Sequence, residues 1–172
     1  MHPPAGRSRI ATQFGIVAAS QPLAAQAGVQ VLERGGHAVD AAIAANAVMG
    51  VVEPEMNGIG GDLFAIVYTA DDDALHGLNA GGWAPSGLTA AGLRADGFSA
   101  MPVEGIHSVT VPGVVAGWEA LHTRFGRLRF RDDLAAAIFY AGEGFPVSDI
   151  IACDDKLINT DDNESVSAQR IR

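Results

Sequence analysis

The segment "HAVDAAIAANAVMGVVEP", His37 to Pro54, restricts the fold more than any other part of the chain. Apolar residues fill nearly every position from Ala41 to Val52, so a helix here has no polar face to turn to water and must be covered on most sides. The run is about 12 residues long and broken by Asn46, short of the roughly 20 that a bilayer crossing needs. A buried helix inside a layered structure is the reading that remains. Asp40 stands in its first turn, where a carboxylate complements unpaired amides, and Pro54 ends it.

The neighbouring segments supply the cover. "PLAAQAGVQVLER", Pro22 to Arg34, places Leu23, Ala27 and Val31 on one side at helical spacing, with Ala24 and Leu32 on adjoining rows, and Gly35-Gly36 stops it. "LFAIVYT" and "ALHGLNA" are β-prone runs joined by "ADDD", a connection that predicts an antiparallel hairpin. "HSVTVP" is a candidate third strand. Pro112-Gly113 opens a helix in "VVAGWEALHTRFG", where Val114, Trp118 and Leu121 share a face, and a further helix is expected in "RDDLAAAIFYAGEG". This order of elements predicts an α+β layered fold rather than a bundle or an all-β sandwich. Residues 1–147 form that unit; 148–172 read as a polar, acid-rich tail without periodicity.

Charge and cysteine usage narrow the function. A net charge of −9 disfavours nucleic acid and anionic membrane as partners. The cluster Arg124, Arg127, Arg129 and Arg131 reads as a solvated turn. Cys153 is the only cysteine, so no intrachain disulfide and no multi-thiolate metal site is expected, and the N-terminus lacks the apolar core of a secretory signal. A cytoplasmic location fits both.

The glycine-rich "NGIGGD", Asn57 to Asp62, follows a helix and precedes a strand, the reverse of a dinucleotide fingerprint, and no lysine follows as a P-loop requires. It is expected to be a turn and packing device in which positive φ makes Gly60 and Gly61 intolerant of substitution. The histidines show no paired ligand spacing, and no G-x-S-x-G elbow is present; no metal, no cofactor and no catalytic residue is expected from the residues alone. Asp71 to Asp73 and Asp161 to Glu164 read as solvated loops, while Glu53 and Glu55 are candidate pocket carboxylates.

Four phrases in order, "VLERGGHAVDAAIAANAVMGVVEPEMNGIGGDLFAIVY", "APSGLT", "VTVPGVVAGWEALHTRFGRL" and "FYAGEGFPVS", resemble the N-terminal part of the γ-glutamyltransferase family, which includes cephalosporin-acylase-like members. The resemblance implies the large-subunit portion of an N-terminal nucleophile hydrolase. Such an enzyme is a four-layer αββα sandwich that cleaves itself to expose a threonine, whose freed α-amine serves as base in γ-glutamyl amide transfer or hydrolysis of glutathione-type substrates. None of Thr12, Thr69, Thr89, Thr110, Thr123 or Thr160 opens the Thr-Thr-His or Thr-Ser-His segment such a nucleophile begins. The expectation is therefore a fragment inactive alone, whose partners are the large-subunit remainder, the small subunit and, in the complete enzyme, a small-molecule amide. The alternative is a non-catalytic interaction module derived from the same fold. Aligning on Ala84-Pro85 puts Gly81 where many members carry an arginine for the substrate carboxylate. Gly81, Gly82 and Trp83 are thus expected at the substrate-pocket rim, with core packing as the other reading of Trp83.

Overall fold

The computed structural model describes residues 10–148 together with 151 and 152. His2, Cys153, Thr160 and Asp161 to Glu164, and nearly all of the expected tail, lie outside those residues.

The buried helix is α2, Ala38–Val52, and α1, Pro22–Glu33, packs along it. Val31 of α1 meets Ala41 and Ala44 of α2, with Val17, Leu32 and Leu128 around them. The first helix ends where expected: Gly35 takes φ +86°, its amide reaches the Leu32 carbonyl, and the Gly36 amide reaches that of Val31. In α2, the His37 amide donates to Asp40 Oδ2 at 2.5 Å and the Val39 amide donates to His37 Nδ1 at 3.4 Å, so the helix start is held from both sides. Ile43, Val48 and Val52 are fully buried, each contributing about 1.5–3 kcal/mol by removal from water.

Strands β1, Leu63–Thr69, and β2, Ala74–Ala80, form an antiparallel hairpin over the stretches expected. Alternation decides its faces. Leu63, Ala65, Val67 and Leu78 pack against the cluster that contains Ile43, while Phe64, Ile66, Tyr68 and Leu75 face outward and are exposed. At the turn, Asp73 adopts φ 50°, and the Thr69 hydroxyl bonds Asp72, holding that carboxyl below its usual range.

Helix α3, Ala90–Ala95, was not expected; Thr89 caps it by accepting from the Gly92 amide at 3.1 Å, and none of its residues is buried. The stretch from His107 to Pro112 is not a strand: a short 3-10 turn, Ile106–Ser108, leads into extended chain whose Val111 amide donates to the Trp83 carbonyl at 2.9 Å. A single bond to a loop makes no ladder. Helix α4, Val114–Phe125, buries Val114, Trp118 and Leu121 against α2 and lies across the hairpin. The last expected helix is two pieces, α5, Phe130–Asp133, and α6, Ala135–Glu143, joined at Leu134. The Leu134 amide reaches the Phe130 carbonyl and the Ile138 amide reaches Leu134, so the pieces nearly continue one another. The described residues therefore form one helical layer on one face of a two-stranded sheet.

Candidate functional site

Three segments meet at one end of the hairpin: 57–62 before β1, 80–83 from the last residue of β2 onward, and 110–113 before α4. The Gly61 carbonyl accepts from the Gly113 and Val114 amides at 3.1 and 3.2 Å, which satisfies two donors at the start of α4. The Thr110 hydroxyl donates to Asp62 Oδ1 at 3.0 Å and ties the third loop to the first. The core joins through a polar relay: Trp118 Nε1 donates to Asn46 Oδ1 at 2.8 Å, Asn57 Nδ2 donates to the Asn46 carbonyl at 3.4 Å, and Asn57 Oδ1 accepts from the Gly58 amide at 2.8 Å.

The expectation for the glycines is corrected here. None of Gly58, Gly60 or Gly61 has positive φ, and a Cβ at Gly58 or Gly60 meets nothing within 4 Å, while one at Gly61 makes ordinary contact with the Gly58 carbonyl. The turn works through its carbonyl and needs no left-handed backbone. The constrained glycines are Gly82 and Gly113. Gly82 has φ +71°, and a Cβ there would overlap the Val111 carbonyl oxygen; a Cβ on Gly113 would overlap that of Ala80 and lie 2.8 Å from the Gly82 amide nitrogen. Their bareness lets 80–83 lie directly on 110–113.

Of the expected rim residues, Gly81 is half-buried behind Phe64, Gly82 is in the loop contact, and Trp83 is 84% exposed, outside the core that the described residues form. Phe64, Ile59 and Met56 are exposed as well. Glu53 instead accepts from the Ser20 hydroxyl at 2.8 Å. Among the described residues, the Thr110 hydroxyl bonds Asp62 alone, so the loops present an apolar, carboxylate-bearing rim with no nucleophile paired to an imidazole or amine. The arginines are exposed as expected, though Arg129 bonds Asp132 through Nε at 2.7 Å and Arg124 donates to His76 Nδ1 at 2.9 Å.

Sequence spacing did not reveal a second cluster beneath α2. Asp40, His122 and Asp133 place one donor atom each within 4.8 Å of one another. Burial, followed by the Asp40 charge, pushes the Asp133 carboxyl up to about 6. Beside α2 lies an open cavity of about 690 Å³, lined in part by Phe14, Val17, His37, Asn46 and Arg127. Among the described residues no helix is long and apolar enough to cross a membrane.

Comparison with known proteins gives concordant matches. The family model described as gamma-glutamyltranspeptidase matches residues 24–162. The chain is 42% identical over 127 residues to a glutathione hydrolase-like YwrD proenzyme of Bacillus subtilis, covering 73% of this chain and 24% of that protein. Cephalosporin acylase from Bacillus halodurans superposes with a TM-score of 0.81 at 42% identity, over 94% of this chain and 31% of the other. The gamma-glutamyltranspeptidase of Helicobacter pylori gives 0.79 at 31% identity, over 87% and 44%. The chain thus spans about a quarter of the length of the curated relatives it matches.

Proposed function

The chain belongs to the gamma-glutamyltranspeptidase family and has its mixed α+β architecture in part, and from that premise we propose that it supplies the scaffold of an amide-cleaving N-terminal nucleophile hydrolase without the attacking threonine. The observation that carries this reading is the hairpin, covered by helices on one face and apolar on the other, where Phe64, Ile66, Tyr68 and Leu75 are all more than half exposed. An uncovered apolar sheet face is what a sandwich has when its second sheet is missing. The downstream remainder of the large subunit and the small subunit are the partners that would cover it.

In the assembled enzyme the loop cluster around Gly61, Trp83 and Thr110 borders the acyl-donor pocket. Position 81 has no side chain with which to grip a carboxylate, and the rim offers the Trp83 ring instead. A bidentate guanidinium contact has no equivalent in glycine, so selectivity for a free γ-glutamyl group is reduced and other acyl amides are admitted. The assay is simple. The purified chain, given a chromogenic γ-glutamyl anilide and a cephalosporin-type amide, is expected to turn over neither. Release of product from either, proportional to chain concentration, would refute the proposal.

A further inference from the structure

Asp133 is 0% exposed, and among the described residues neither of its carboxylate oxygens has a hydrogen-bond partner. That is a costly arrangement for an ion. Its nearest polar neighbours do not relieve it. Asp40, also 0% exposed, already accepts from the Arg127 amide at 3.0 Å on each oxygen, from Leu128 at 3.4 Å and from His37 at 2.5 Å. His122 Nε2 lies 3.7 Å from Asp133 Oδ2, but 2.8 Å from the Leu128 carbonyl, an acceptor only, so its N–H points there. Two ionised carboxylates are both acceptors. A proton is the missing partner.

We propose that Asp133 keeps its proton in the folded chain and donates it to Asp40, forming a carboxyl–carboxylate latch that holds the α4–α5 loop against α2 and slackens when the proton is lost. The loop is held because Asp40 binds the Arg127 and Leu128 amides, and Leu128 packs beside Val31, Ala41 and Ala44. The charges acting on Asp133 come from every side of the contact: Asp40 from α2, His122 from α4 and Asp132 from its own turn. Asp132 is engaged by Arg129 and Arg131, and α6 adds only Tyr140 and Glu143 as titratable groups. A bound cation is the competing occupant, but it would have to displace the Nε2–H bond to Leu128 and share an Asp40 already holding three amides.

The sign follows from burial. The folded carboxyl titrates near 6 and the unfolded one near 3.8, so the stability contributed by the proton is complete below about 3.8 and is lost as pH rises through about 6. The unfolding constant is expected to rise roughly 60-fold between pH 4 and pH 8 from this group. Asp133→Asn, a neutral isostere able to donate to Asp40, is expected to abolish that component and to be more stable than the parent at pH 8. Carboxyl-carbon NMR of the parent chain should show Asp133 titrating near 6, with faster amide exchange at Arg127 and Leu128 above that pH than the solvent rate accounts for. A midpoint at or below about 4, or an Asp133→Asn chain less stable than the parent at pH 8, overturns the latch. So does a thermal upshift with Zn²⁺ or Mn²⁺ that Asp133→Asn removes, which would assign the cluster to a metal.

Discussion

Gly82→Ala is expected to destabilise the chain by about 3–5 kcal/mol, a large share of the roughly 5–15 kcal/mol that holds an ordinary domain folded. The added methyl would overlap the Val111 carbonyl oxygen, and the residue sits at φ +71°, which side chains rarely adopt. The carbonyl cannot swing aside cheaply, because the Val111 amide is bonded to Trp83 and Gly113 leads directly into the buried start of α4. Gly60→Ala provides the contrast: its Cβ meets nothing within 4 Å and its φ is not positive, so a change within about 1 kcal/mol is expected. Urea denaturation followed by circular dichroism measures both. Equal losses, or a larger one for Gly60→Ala, would show that the glycine turn and not the 80–83 loop is the constrained element.

Trp118→Ala is expected to cost about 3–5 kcal/mol, since it removes a large side chain only 5% exposed where α4 packs on α2. Part of that cost is polar. The indole N–H satisfies Asn46 Oδ1, and the Asn46 carbonyl in turn receives the Asn57 side chain that orders the glycine turn. Trp118→Phe fills much of the volume but leaves the Asn46 oxygen unpaired, and about 1–3 kcal/mol should be lost. The two variants therefore separate packing from hydrogen bonding, and only a loss in Trp118→Phe accompanied by faster exchange at the Gly58 amide supports the relay. A Trp118→Phe chain as stable as the parent would mean that the indole nitrogen contributes nothing.

The elements legible in the sequence are those whose periodicity directly records burial. The β-prone residues of "LFAIVYT" and "ALHGLNA", joined by "ADDD", marked both strands, and the continuous apolar run of α2 required the layered packing that the structure has. Leu23, Ala27 and Val31 likewise marked the inner side of α1. Helix α3 escaped because it buries nothing and so leaves no apolar stripe; only Thr89 signalled it. The glycines were misassigned for a physical reason as well. A glycine-rich string reveals freedom of φ but not which residue uses it, and the close approach that fixes Gly82 comes from residues 110–113, remote in sequence. The Asp40, His122 and Asp133 cluster was illegible for the same reason: its members belong to three helices, and the exceptional property of Asp133 is its burial without a partner among the described residues, which no spacing encodes.

The uncovered hairpin face unites the fold with the proposed function. Ile66, 78% exposed at the centre of that face, can be replaced by cysteine in a Cys153→Ser background without disturbing the helical layer beneath. Maleimide labelling of that cysteine is the most direct test. In the chain by itself it should react at the rate of a free thiol; in a family-length protein carrying this chain as its N-terminal part, the second sheet should slow it by at least about 100-fold, the effect of an opening cost near 3 kcal/mol. Labelling at the same rate in both would contradict the assignment of this face to a buried layer and, with it, the reading of the chain as an unfinished sandwich.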